Sequence, residues 1–225
     1  MKFLVCGVHR SGNSVTAHWL QTALGQPILD DPLWAITAED GFLKYRTCKH
    51  ARQQIDAHSI VKCPRAITYI PEVLSDYPDT IFVIPYREPR SVLCSIINAE
   101  LTGNQQPKTM IDLHTNSSDF ISGFINYYNS QYHSVLHLIC RSGRIKLVHH
   151  LSIEKFYMHE KFQINSENFD FSHDYSPDEN HRLKVPISLA DLDRSKQIHP
   201  VIGAIIWNRC KDVFNAMKSL ERHGI

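Results

Sequence analysis

Residues 3–14 read FLVCGVHRSGNS, which is a short apolar run followed at once by a glycine-containing loop and a polar helix start. The apolar run at 3–6 has the composition of a buried parallel strand, because such strands are continuously apolar and do not alternate. Residues 14–24 then place apolar side chains on one helical face, and Gly25 supplies a C-terminal stop. This opening strand, loop and helix predict a parallel α/β fold.

The rest of the chain alternates between strand and helix patterns. Further strands are predicted at 59–61, 80–84 and 145–148, and further helices at 89–101, 119–140 and about 200–220, while 29–46 is less regular. This alternation predicts a single domain over residues 1–225, a three-layer sandwich with helices on both faces of a parallel β-sheet. The stretch from about 158 to 200 is polar and without a steady period, so we expect a loop or lid region there.

Composition limits the partners of the chain. A net charge of +1 favours neither nucleic-acid nor membrane binding, so any phosphate site must be local. No apolar run approaches the roughly 18 residues that span a bilayer, and the N-terminus does not read as a signal peptide, so we expect a cytoplasmic protein. His133 and His137 share a helix face without a third ligand at a matching spacing, and no metal site is predicted.

The loop at residues 7–14, GVHRSGNS, has the spacing of the nucleotide-binding pattern GxxxxGK[ST]. Glycines allow the tight turn, and the N–H groups at the helix start face an anion. Asn13 stands where that pattern has lysine, and a kinase would thereby lose its main cation on the β and γ phosphates. Arg10 offers a different cation on the loop itself. A P-loop kinase-like phosphotransferase remains an alternative.

The same segment resembles the 5′-phosphosulfate loop of the sulfotransferase family, whose usual form is G-x-x-[RK]-S-G-T-T. Asn13 and Ser14 replace the two threonines and keep side chains that can hydrogen-bond a phosphate. The resemblance implies that Arg10, Ser11, Gly12, Asn13 and Ser14 hold the 5′-phosphosulfate of the donor 3′-phosphoadenosine 5′-phosphosulfate.

A second segment, REPRSVLCS at 87–95, follows the strand with the clearest β composition. In sulfotransferases an arginine at this strand end and a serine eight residues later bind the donor's 3′-phosphate, and Arg87 and Ser95 match that spacing. A strand-end arginine and a hydroxyl two turns along the next helix can converge on one ligand, and Arg90 is a further candidate. We therefore expect two βα corners to hold opposite ends of one doubly phosphorylated adenosine.

The segment IVKCPR at 60–65 resembles the family's K-x-x-P and K-D-P segments. By that resemblance Lys62 lies beside the transferring group, where a cation neutralises charge on the leaving phosphate. Cytosolic members have a histidine two residues after this lysine, and this chain has Pro64 there. Small phenol or steroid acceptors are therefore less favoured.

Tyrosylprotein-type members use a glutamate about twenty residues after the loop arginine as the general base. At that offset this chain has Asp30 and Asp31, and we expect Asp31 first and Asp30 second. A turn or capping role before Pro32 fits these aspartates equally well. Three further residues stay open as the base: Glu39, His9 and His58.

Together these segments predict a sulfotransferase with Lys62, Asp31 and Arg10 as its catalytic residues. It would move a sulfuryl group to a hydroxyl or amine of a small-molecule, sugar or peptide acceptor and release 3′-phosphoadenosine 5′-phosphate, without a metal. A catalytically inactive nucleotide-binding relative is the other alternative. The family's C-terminal arginine–lysine–glycine segment has no counterpart here, and three residues of the polar stretch are open as substitutes: Lys184, Arg194 and Lys196.

Overall fold

A computed structural model describes residues 1–32, 35–39, 42–46, 49–101, 119–139, 142–149 and 198–222. The loop or lid region expected at about 158–200 lies outside these residues up to position 197. The open substitutes for the C-terminal donor contact lie outside them too.

The described strands, in chain order, are β1 (Phe3–Val5), β2 (Ile28–Asp30), β3 (Ala35–Glu39), β4 (Phe42–Arg46), β5 (Ile60–Lys62), β6 (Ile81–Tyr86) and β7 (Ile145–His149). The described helices are α1 (Asn13–Leu24), α2 (Lys49–Asp56), α3 (Ile70–Asp76), α4 (Pro89–Leu101), α5 (Phe120–Ile139) and α6 (Pro200–Arg222), with a 3₁₀ helix at Pro64–Tyr69. Gly25 ends α1 in the left-handed conformation, as its position in the sequence predicts. None of these helices is long and apolar enough to cross a membrane.

One five-stranded sheet organises the fold, in the order β2-β5-β1-β6-β7, and each neighbouring pair is parallel. The central strand β1 is a topological switch point, because the chain first builds the sheet on the β5 side and then crosses to the β6 side. The predicted α/β class with a parallel sheet is confirmed.

Both faces of this sheet are covered. Leu4 packs in a large core with residues of α4, α5 and α6, whereas its neighbour Val5 packs in a second core with residues of α1. Successive side chains of a strand point to opposite faces, so these two cores lie on opposite sides of the sheet. This arrangement explains why the strands read as continuous apolar runs.

The segment 29–46, expected to be less regular, contains more order than its sequence indicates. It begins with the end of edge strand β2 and continues into an antiparallel hairpin, in which Ala35 pairs with Arg46 and Glu39 with Phe42. The order of this hairpin comes from pairing between its two strands, which the composition of either strand alone does not reveal. Helix α2 and the helices at 64–76 were also not predicted from the sequence.

Candidate functional site

The candidate site lies at the carboxyl edge of the three central strands. The loop after β1, the end of β5 at Lys62 and the corner after β6 at Arg87 all emerge at this edge, because the strands are parallel. Ligands of open parallel sheets bind outside this edge, at the switch point between strands. The expected donor-binding residues, with Lys62, Asp30 and Asp31, lie on these segments, at the start of α1, at the end of β2 or on the first two turns of α4.

The loop between β1 and α1 has a backbone that only a few residues can adopt. Arg10 has φ 68° and Gly12 has φ 108°, both in the left-handed region. A Cβ on Gly7 would lie 3.0 Å from the Pro85 carbonyl oxygen and from two side-chain oxygens of the loop itself. The close approach of the loop to β6 therefore favours glycine at position 7, because a larger residue would force these oxygens to move.

The N-terminus of α1 is the part of this loop suited to an anion. Its N-cap residue, Gly12, supplies no side-chain hydrogen bond to the first helical turn. The first N–H groups of a helix have no carbonyl partner in that helix, and the helix dipole adds partial positive charge there. A phosphate or sulfate group can satisfy these N–H groups.

Asn13, at the position of the lysine in nucleotide-binding loops, is buried and holds the loop together. Its amide nitrogen donates to the carbonyl oxygens of Gly7 (3.3 Å) and Val8 (3.1 Å). Because the amide donor is used in this way, we expect Asn13 to offer an anion its backbone N–H at the first helical position. Ser11 is also fully buried within the loop.

Lys62 connects the end of β5 to the start of α1. Its side chain is only 9% exposed, and Nζ lies 2.7 Å from Asp30 Oδ1 and donates to Ser14 Oγ at 3.1 Å. The parallel register places Asp30 directly opposite Lys62 on the neighbouring strand β2, which brings the carboxylate to the ammonium. The structure thus places Lys62, the lysine predicted to be catalytic, beside the glycine-containing loop and the start of α1.

Asp31, the first choice for the general base, has different partners. Its carboxylate lies 3.4 Å from Arg65, and its N–H donates to the Lys62 carbonyl oxygen at 2.7 Å. Asp31 also has φ 39°, which turns the chain sharply as it leaves β2. The structure therefore brings Asp30, and not Asp31, into contact with the Lys62 ammonium.

The other candidates for the general base lie in different parts of the fold. His58 precedes β5 at the amino edge of the sheet, opposite the site, and its ring Nδ1 lies 2.7 Å from the Gln54 carbonyl oxygen. His9 lies in the loop itself, and its N–H donates to the Tyr127 hydroxyl at 3.2 Å. The side chain of Glu39 lies outside the described residues.

The corner after β6 brings Arg87 and Ser95 to the same edge, and both side chains are buried. Arg10 Nε donates to Ser95 Oγ at 3.2 Å, so the two βα corners are in direct contact. Arg90 instead pairs with Glu88 and lies over the ring of Trp207, 5.2 Å from its centroid. Arg90 is therefore held by α6 and by its own corner.

The direct bond between Arg10 and Ser95 brings the two residues closer together than expected, because they were predicted to contact opposite ends of one ligand. The bond uses only Nε of Arg10, so the remaining N–H groups of the guanidinium can contact a phosphate while the bond is kept.

Three tyrosines of α5, which were not predicted from the sequence, form hydrogen bonds with both corners. Tyr128 donates to the Arg87 carbonyl oxygen (2.8 Å), Tyr132 donates to the Pro85 carbonyl oxygen (3.0 Å), and Tyr127 accepts from His9. Burial raises the pKa of all three hydroxyls well above their usual range. A signal was present, since buried tyrosines on one helix face need partners for their hydroxyls.

Within the described residues, no group of three or more His, Cys, Asp or Glu side chains is placed to hold a metal ion. No known protein family matches the sequence, and no curated protein is significantly similar to it. Among solved structures, the chain is similar to the crystal structure of a sulfotransferase from Alicyclobacillus acidocaldarius. The identity is 14% and the TM-score 0.46, over 87% of this chain and 94% of that one. At these values the likeness establishes neither a shared activity nor a shared substrate.

Proposed function

We propose that this chain is a sulfotransferase that uses 3′-phosphoadenosine 5′-phosphosulfate as donor and a hydroxyl or amine as acceptor. One observation carries the proposal: three segments that are far apart in sequence meet at one sheet edge with their motif side chains in contact. Arg10 bonds Ser95, and Lys62 bonds Ser14. If these segments were ordinary βα turns without a common ligand, there would be no reason to expect contacts between these particular side chains.

The local chemistry of the loop fits the 5′ end of such a donor. The positive φ at Arg10 and Gly12 and the close packing of Gly7 create a backbone cradle in front of α1. Anions bind at such helix starts. Arg87 at the neighbouring corner would form charge-assisted hydrogen bonds with the 3′-phosphate.

In the proposed reaction the acceptor oxygen or nitrogen forms a bond to sulfur while the bond between sulfur and the bridging phosphate oxygen breaks. The Lys62 ammonium would neutralise the charge that develops on the departing phosphate. A carboxylate would take the acceptor's proton, and both Asp30 and Asp31 lie at the correct edge. Asp30 is the stronger candidate because it already contacts Lys62.

A phosphotransferase, which is the competing hypothesis, would need a cation for the β and γ phosphates of a nucleoside triphosphate. The loop position that would supply it is Asn13, whose amide holds the Gly7 and Val8 carbonyls. This observation favours the phosphosulfate donor over ATP.

Thermal melting with two ligands tests the proposal. At a bisphosphate concentration of about 100 Kd, adenosine 3′,5′-bisphosphate should add about 2.7 kcal/mol of stability and raise Tm by roughly 5–11 °C. ATP with Mg²⁺ should give a much smaller shift. Stabilisation by ATP–Mg²⁺ alone would overturn the proposal in favour of a phosphotransferase.

Turnover with a panel of acceptors distinguishes an enzyme from an inactive relative. Lys62→Met should abolish sulfuryl transfer while leaving the bisphosphate affinity within about threefold, since it removes charge stabilisation that is needed only in the transition state. Lys146→Ala, which removes an exposed lysine from β7, is the matched control and should leave both quantities unchanged. Bisphosphate binding without turnover of any acceptor would identify a binding protein.

A further inference from the structure

We propose that helix α5 positions the donor site through two buried tyrosines, Tyr127 for the 5′-phosphate loop and Tyr128 for the 3′-phosphate corner. The proposal rests on the proposed function, because it assigns each residue to one end of the donor. We call Tyr127 and Tyr128 the tyrosine pair.

The hydroxyls of the tyrosine pair form hydrogen bonds with the backbone of the site. The Tyr127 hydroxyl accepts from the His9 N–H at 3.2 Å, and the Tyr128 hydroxyl donates to the Arg87 carbonyl oxygen at 2.8 Å. The two bonds reach different corners, one after β1 and one after β6. Adjacent residues of one rigid helix thereby fix the separation of the two corners.

The contact made by Tyr127 falls where the loop backbone is most constrained. The His9 N–H belongs to the Val8–His9 peptide, one peptide before that of Arg10, whose φ of 68° is unfavourable for a residue other than glycine. The carbonyl oxygen of this same peptide, that of Val8, accepts from the Ser11 N–H at 3.1 Å and closes a turn that contains His9 and Arg10. A hydrogen bond from outside the turn helps to keep such a backbone in its uncommon conformation.

The contact made by Tyr128 falls at the exit of β6. The Arg87 carbonyl belongs to the peptide that leads into α4, so its orientation sets the direction in which α4 leaves the sheet. Ser95 lies on α4, and the relative placement of Arg87 and Ser95 therefore depends on this peptide. These are the two residues expected at the 3′-phosphate.

The rings of the pair are held independently of their hydroxyls. Tyr127 is 1% exposed and Tyr128 is 0% exposed. The Tyr128 ring packs edge-on against Tyr132, with centroids 4.9 Å apart, and also against Phe124. Phenylalanine at either position would keep the ring packing and remove the hydrogen bond to the site.

The test compares three ligands: adenosine 3′,5′-bisphosphate, adenosine 5′-monophosphate and adenosine 3′-monophosphate. The ratio of Kd for the 5′-monophosphate to Kd for the bisphosphate measures what the 3′-phosphate contributes. Tyr128→Phe should lower this ratio by about threefold to tenfold, the usual effect of one lost hydrogen bond, and leave the 5′-monophosphate Kd unchanged.

Tyr127→Phe should give the complementary result. The bisphosphate and the 5′-monophosphate should both weaken by about threefold to tenfold, while the 3′-monophosphate is unaffected. Tyr77→Phe is the matched control, because Tyr77 lies near the start of β6 at the opposite edge of the sheet and should change no ligand affinity. A merely structural role would lower stability without separating the two ends of the ligand.

The outcomes distinguish this inference from the proposed function. If the natural sequence fails to bind the bisphosphate, the proposed function fails. If it binds and both variants weaken all three ligands equally, or none of them, the positioning role is wrong. Should Tyr128→Phe not fold, Tyr127→Phe decides the outcome by its contrast between the 5′- and 3′-monophosphates.

Discussion

Replacing Asp30 with alanine should destabilise the protein more than replacing Lys62 with methionine, although the two residues form one ion pair. Nζ lies 2.7 Å from Oδ1, but the Lys62 side chain is 9% exposed whereas that of Asp30 is 42% exposed. Alanine at position 30 leaves an almost buried ammonium with Ser14 Oγ as its remaining described partner. Methionine at position 62 fills a similar volume and leaves a carboxylate that water can reach.

The magnitude follows from these exposures. Breaking a fully buried pair costs about 3–5 kcal/mol, and an exposed pair contributes at most about 1 kcal/mol. With one partner screened by solvent, we expect about 2 kcal/mol for Asp30→Ala, or a Tm lower by roughly 4–8 °C. For Lys62→Met we expect less than about 1 kcal/mol.

Thermal melting at neutral pH measures both variants. The matched control is Asp79→Ala, which removes a 90% exposed carboxylate from its 3.1 Å ion pair with Arg144 and should lower Tm by no more than about 4 °C. The reasoning is refuted if Lys62→Met lowers Tm as much as Asp30→Ala does. In that case the lysine would be held by its packing and not by the carboxylate.

Three further predictions concern the loop, the second corner and the buried hydroxyls. Gly7→Ala should lower stability by about 1–3 kcal/mol in a melting experiment, because the new Cβ meets a backbone oxygen of β6 at 3.0 Å. Arg87→Ala should weaken adenosine 3′,5′-bisphosphate by about 1.5–3 kcal/mol in calorimetry, and a loss of only a few tenths would remove Arg87 from the site. Burial raises the pKa of Tyr127, Tyr128 and Tyr132, so above about pH 10 the unfolded chain loses protons that the fold keeps. These tyrosines should therefore leave the free energy of unfolding unchanged below pH 10 and lower it above pH 10 by about 1.4 kcal/mol per pH unit for each tyrosine. Melting experiments at alkaline pH should show a smaller loss of stability per pH unit for Tyr132→Phe.

Sequence patterns predicted the regular part of the fold well because those elements carry local signals. The helix at 89–101 begins and ends as predicted, since proline suits the first helical turn and the following residues form helix without interruption. The hairpin of Ala35–Glu39 and Phe42–Arg46 was not predicted, because its order comes from cross-strand pairing. A short edge strand such as Ile28–Asp30 likewise gains its structure from β5.

For the site, the spacing of arginine and serine in the two corners could be read from the sequence, but their partners could not. Asp30 and Asp31 are adjacent, and only the register of β2 against β5 decides which carboxylate reaches Lys62. Successive residues of a strand point to opposite faces, so a shift of one position would exchange their roles. The support from Tyr127 and Tyr128 was invisible for a similar reason, because it joins positions about forty or more residues apart.

The sequence by itself determined the parallel α/β class, the glycine-containing loop ahead of α1 and the presence of cationic residues at three strand ends. These features depend on local chain chemistry: continuous apolar runs, a residue without a side chain, and side chains placed where strands stop. Only the tertiary structure decided that Arg10 contacts Ser95, that Lys62 is paired with Asp30, and that α5 holds both corners. Those contacts depend on strand order and register, which arise when separate segments pack together and which no single segment encodes.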